Sequence, residues 1–179
     1  HTRFEHCLGT LHMATKITDA VEKNYKYRNV LLGTSIDEDL DREGLRLVSP
    51  TKRDKVLIRL VALLHDAAHI PFGHLLEKEG NIFDKTQWAD EIRMDYVFKE
   101  CGIENKIISY LKIITGEHEA KKFVEDLKKV LRAIEGADPA TGKPIKNEDF
   151  PEDKAITKLA DHGIPPYIGD IVGNTICAG

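Results

Sequence analysis

Apolar side chains at Phe4, Cys7, Leu8, Leu11, Ile17 and Val21 recur at three- and four-residue steps, which predicts a helix from Phe4 to about Tyr25 with one buried face. Residues 28–54 then turn polar and charged, punctuated by Gly33, Gly44 and Pro50, so a connection or short insertion is expected over 28–50. Ser49 followed by Pro50 offers a capping hydroxyl and a ring preset for the first helical position. That helix should run to about Ala68, with Pro71 as its stop. Its stretch VLIRLVALLHDAAH is apolar on nearly every side, as in a central helix covered by neighbours. Amphipathic segments follow at 88–101, 104–115 and 117–135, with Gly102, Gly116 and Gly136 at their ends. The Pro- and Gly-rich stretch 136–152 reads as a mobile loop, 153–161 as a last helical piece, and Tyr167 to Ala178 as a further buried segment. No segment alternates with period two, so the expected fold class is all-α, a helical bundle around one buried helix.

With 179 residues and 41% hydrophobic content, the chain can bury one compact core. Its 26 basic and 30 acidic residues give a net charge of -4, without the basic bias of a dedicated nucleic-acid binder. The longest apolar run, Val56 to Leu64, is broken by Arg59 and is too short to span a bilayer, so no membrane partner is expected. Cys7, Cys101 and Cys177 lie far apart without a CxxC, which argues against both a disulfide framework and a thiolate zinc site and fits a cytoplasmic location. The chain opens with His1 rather than Met and stops at Gly179 after an apolar stretch, so it reads as a piece of a longer protein. A homo-oligomer is compatible with all of this.

Chemistry enters through the histidines. Five of the eight, His1, His6, His65, His69 and His74, fall in two short stretches, HTRFEH and HDAAHIPFGH. Imidazole and carboxylate are ordinary ligands for divalent metals. His65 and His69 are one helical turn apart, while Asp66 projects about 100° around the axis, at the edge of the same face. Polar groups closing an apolar helix are costly unless paired or coordinated, so a metal competes here with a buried hydrogen-bonded network. His12, His118 and His162 match no pattern. The acidic run Asp37 to Glu43 fails as a calcium loop because Pro50 stands where a bidentate Glu is needed. Lys121, Lys122, Lys128, Lys129 and Arg132 form a stripe interleaved with Glu119, Glu125 and Asp126, which reads as a solvated helix face.

The blocks HTRFEHCLG and LLHDAAHIPFGHLLE, in that order, resemble the HD superfamily, in particular the branch of dGTP triphosphohydrolases and of deoxynucleotide triphosphohydrolases that join SAM and HD domains. The resemblance is dense over residues 1–14 and 57–77 and thinner over 168–179, and it implies a single HD domain over 1–179. It also implies one divalent metal ion (Mn, Fe, Co, Ni, Zn or Mg) on His6, His65 and Asp66, and a phosphate contact from Arg3. His69 and His74 match histidines along the phosphate path, and Glu77 takes the place of an acidic partner for a catalytic histidine. Two positions depart from the pattern: Asp90 and Glu91 follow Trp88 where a His and a Glu are usual, and Gly179 falls at the expected place of a fourth, aspartate ligand.

What the resemblance implies is metal-assisted hydrolysis of a nucleotide, foremost a (deoxy)nucleoside triphosphate, by attack of water at phosphorus. Arg3 would clamp a non-bridging oxygen; His74 with Glu77 would pass a proton to the leaving oxygen, or His69 would hold the phosphate. The departures at Asp90 and Gly179 keep open an impaired regulatory or nucleotide-binding module on the same scaffold, and a nucleotide phosphodiesterase is a third reading.

Overall fold

A computed structural model of the chain describes residues 3–32, 49–67, 90–145 and 151–173. Among them the fold is all-helical, as the periodicity requires. The elements are α1 (Arg3–Leu32), α2 (Lys52–Leu64), α3 (Asp90–Glu100), α4 (Ile103–Thr115), α5 (Glu117–Ile134), α6 (Pro151–Thr157) running into a 3₁₀ turn (Lys158–His162), and α7 (Tyr167–Gly173).

α2 is the central element, packed against α1, α5 and α7. Leu57, Ile58, Val61 and Ala62 are fully buried along it, whereas Val56 and Arg59 reach solvent, so its cover is broad but not complete. The core continues through Phe123, Val124, Leu127, Val130 and Leu131 of α5 and Ile156, Leu159, Ile168 and Val172 of the C-terminal elements. Gly169 allows α7 to sit this close, since a Cβ there would lie 2.9 Å from Cγ1 of Ile156.

Several boundaries differ from the sequence expectation, each for a local reason. α2 starts not on Ser49 and Pro50 but on Thr51, whose hydroxyl accepts the Asp54 amide at 3.1 Å while the Asp54 carboxylate accepts the Thr51 amide at 2.9 Å. This reciprocal capping satisfies two amides that no upstream carbonyl could reach. The Asp54 carboxylate also accepts the Tyr167 hydroxyl at 2.9 Å, tying α7 to the start of α2. Burial first, and then Asp54, push the Tyr167 phenol well above its ordinary value.

α1 continues to Leu32, so 28–32 belong to a helix rather than to the expected connection. Its buried stripe also differs. Phe4 and Leu8 are exposed, and Thr10, Ala14 and Thr18 face inward instead. Small residues let α1 approach closely, and the Thr18 hydroxyl is absorbed by the Ala14 carbonyl at 2.6 Å.

The glycine stops at 102, 116 and 136 fall where expected, all with positive φ. Past Gly136 the chain is a defined turn up to residue 145: Asp138 accepts the Thr141 amide at 3.0 Å and pairs with Lys158 at 2.9 Å. Lys158, then Thr141, hold the Asp138 carboxyl down at about 2. The last long piece starts at Pro151, a residue suited to a first helical position, rather than at 153.

Candidate metal centre

Two ion pairs at opposite ends fix how α1 and α2 meet. Glu22 meets Lys55 at 2.6 Å, and His6 Nε2 lies 3.2 Å from Asp66 Oδ2. The helices are therefore antiparallel, and the start of α1 lies beside the end of α2.

α2 closes as an α-helix at Leu64 rather than near Ala68. His65 still donates its amide to Val61 at 2.9 Å, but Ala67 donates to Leu64, a tighter three-residue turn. His65 and Asp66 sit on this turn. Asp66 Oδ1 lies 3.4 Å from His65 Nε2, and the His6 and His65 rings are 5.4 Å apart between centroids.

The protonation pattern follows from one contact. His65 Nδ1 lies 2.9 Å from the Ala62 carbonyl, which can only accept, so Nδ1 carries the hydrogen and Nε2 is left with a lone pair. Nε2 is buried without a hydrogen-bond partner, and what faces it is the Asp66 carboxylate, another acceptor. Two acceptors in contact call for a cation between or beside them. Burial pushes the His65 pKa down, against the pull of Asp66, the Ala62 carbonyl and, more weakly, Glu135, so the neutral ring that a metal requires is favoured.

Ligand atoms from His6, His65 and Asp66 all lie within 4.8 Å of one another. A shared ion with bonds of about 2.0–2.2 Å would draw them to roughly 3–4 Å, so the set needs only a small contraction. Side-chain exposure falls from 47% at His6 through 22% at Asp66 to 4% at His65, which gives the cluster a dry floor and an open side. The donor set and its unpartnered buried nitrogen fit a divalent metal.

The other sequence expectations are distributed unevenly. His69, His74, Glu77 and Gly179 lie outside the described residues, as do the side chains of Arg3 and Asp90. Asp170 is on α7. Glu135, at the end of α5, was missed by pattern reading: it sits at a helix end like many surface glutamates, and only packing brings its charge to bear on His65. The basic stripe on α5 is largely neutralised, by Glu117 on Lys121, Glu104 on Lys128 and Asp126 on Lys129. Among the described residues no helix is long and apolar enough to cross a membrane.

Comparison with known proteins agrees with the motif pairing. The HD domain family model matches residues 3–162. The deoxynucleoside triphosphate triphosphohydrolase SAMHD1 homolog of Dictyostelium discoideum is 24% identical over 137 residues, which are 76% of this chain and 20% of that relative. The chain thus spans about a fifth of that relative's length. No solved structure matches the chain significantly. Because the family match runs through both helices that meet at the histidine cluster and through α5, which packs against α2, this chain belongs to the HD domain family.

Proposed function

We propose that this chain is the core of a metal-dependent phosphohydrolase that acts on a nucleotide, foremost a (deoxy)nucleoside triphosphate. The observation that carries the reading is the buried Nε2 lone pair of His65 set against the Asp66 carboxylate, with His6 alongside. Two imidazoles and one carboxylate suit a first-row divalent ion better than Mg²⁺, which prefers oxygen ligands and water. Bound there, such an ion would supply a Lewis acid for a phosphate oxygen and a lowered pKa for water.

The chain's own groups have separate tasks. The Ala62 carbonyl holds His65 in the tautomer that presents Nε2. Asp66 offers one oxygen toward each histidine. The exposed flank at His6 is where a phosphate would enter, and Arg3, one turn earlier on α1, would clamp a non-bridging oxygen. By the family resemblance, His74 with Glu77 would give a proton to the leaving oxygen, or His69 would steady the phosphate. The triphosphate substrate rests on the similarity to a relative named for that activity.

The test is to purify the full-length protein, determine its bound metals by mass spectrometry, and separate the products formed from deoxynucleoside triphosphates. Stoichiometric metal with release of inorganic triphosphate supports the reading. Cleavage of a cyclic or linear diester instead would make it a phosphodiesterase, metal without turnover a regulatory module, and absence of both would reject the metal centre.

A further inference from the structure

The described helical threonines are of two kinds. Thr15, Thr18, Thr115 and Thr157 each donate their hydroxyl to the carbonyl four residues back, at 2.8, 2.6, 3.0 and 2.8 Å. Thr10 does not. It is 2% exposed, and its Oγ1 is buried without a hydrogen-bond partner. A hydroxyl withdrawn from water and left unpaired costs as much as a lost hydrogen bond, so the departure calls for compensation.

Its position indicates where that compensation comes from. Thr10 follows His6 by one turn of α1, about 6 Å along the axis, at the head of the inward stripe that continues through Ala14 and Thr18. With the two helices antiparallel and His6 paired with Asp66, Thr10, one turn further into α1, falls level with the last turn of α2, about Ala62, whose carbonyl the His65 ring contacts. Helical side chains lean toward the N-terminus of their own helix. Thr10 therefore leans back toward His6, and His65 toward Ala62, as its 2.9 Å contact there records. His65 Nε2 is a second buried polar atom without a hydrogen bond, and the His65 ring lies 5.4 Å from that of His6, the residue one turn before Thr10.

We propose that Thr10 is a positioning residue of the metal centre, whose hydroxyl holds and orients a water beside His6 and His65. The proposal rests on reading His6, His65 and Asp66 as metal ligands. A hydroxyl both donates and accepts, so it can fix such a water in either orientation. Packing alone does not account for a threonine here, because valine would fill the same space without burying an unpaired oxygen.

The experiment compares Thr10→Val and Thr10→Ser with wild type in the full-length protein. Three readouts are taken: Mn²⁺ affinity by calorimetry, the visible absorption spectrum of the Co²⁺-loaded protein, and melting in EDTA. Thr10→Val should melt in EDTA at or above wild type, bind Mn²⁺ about 10- to 100-fold more weakly and shift the Co²⁺ bands, while Thr10→Ser retains near-wild-type affinity and spectrum. Unchanged Mn²⁺ affinity and Co²⁺ bands in Thr10→Val would overturn the proposal while leaving the metal centre standing. Weakened binding that Thr10→Ser shares, with lower melting in EDTA for both, would make Thr10 a packing residue and overturn it too. A wild-type protein that binds neither Mn²⁺ nor Co²⁺ would instead reject the metal centre itself, and the proposal with it.

Discussion

Asp66→Asn separates a metal centre from a buried hydrogen-bonded network, because the two demand opposite signs in the metal-free protein. Asp66 Oδ1 faces the His65 Nε2 lone pair at 3.4 Å. An asparagine amide turned toward that nitrogen would supply the donor it lacks, a net gain of about 0.5–1.5 kcal/mol. Against this stands the lost pairing with half-exposed His6, about 0–1 kcal/mol. The metal-free variant should therefore melt near or above wild type, by up to about 6 °C for a chain of this size. Added Mn²⁺ reverses the order. At a hundredfold excess over its Kd the ion would stabilise wild type by about 2.7 kcal/mol. At about 2–4 °C per kcal/mol that is roughly 5–10 °C, and the variant should gain almost none of it. Differential scanning fluorimetry in EDTA and in graded Mn²⁺ reads both effects. A metal-free Asp66→Asn destabilised by more than about 2 kcal/mol would mean that the carboxylate serves a hydrogen-bonded network, and an equal Mn²⁺ shift in both proteins would mean that it is not a ligand.

Burial lowers the His65 pKa, so the metal-free protein should lose stability as pH falls through about 6.5, where the unfolded state takes up a proton that the folded state resists. The slope is bounded by about 1.4 kcal/mol per pH unit for one proton, continues down to the folded pKa, and should flatten in His65→Gln; urea titrations at several pH values measure it. Tyr167→Phe removes the hydroxyl held by Asp54 and should cost about 1–2 kcal/mol in urea unfolding, with the metal affinity unchanged because the bond lies at the far end of α2 from His65. Gly169→Ala would drive a methyl to 2.9 Å from Ile156 and should cost about 1–3 kcal/mol; a melting temperature equal to wild type would show that α6 and α7 yield more readily than their packing suggests.

Much of this protein was legible without coordinates. The helical period, the glycine stops at 102, 116 and 136 and the two histidine blocks all depend on residues within a turn or two of one another, and such local chemistry is written in order along the chain. The same holds for the all-α class and for the imidazole and carboxylate side chains at positions 6, 65 and 66.

Other features depended on which surfaces meet. Phe4 and Leu8 looked like the buried face of α1, yet Thr10, Ala14 and Thr18 took it, because close approach to α2 rewards small side chains over large ones. Ser49 and Pro50 looked like a cap, but Thr51 has Asp54 three residues on to complete it, and Tyr167, more than a hundred residues away, to hold Asp54 in place. The tautomer of His65 and the influence of Glu135 had no trace in the sequence pattern. Each requires two helices in one relative placement, and a one-dimensional pattern carries the face a helix can bury but not the partner that buries it. Local hydrogen bonds and propensities therefore set the helices. Long-range packing, with its interaxial distances and its demand that buried polar atoms find partners, set the chemistry between them.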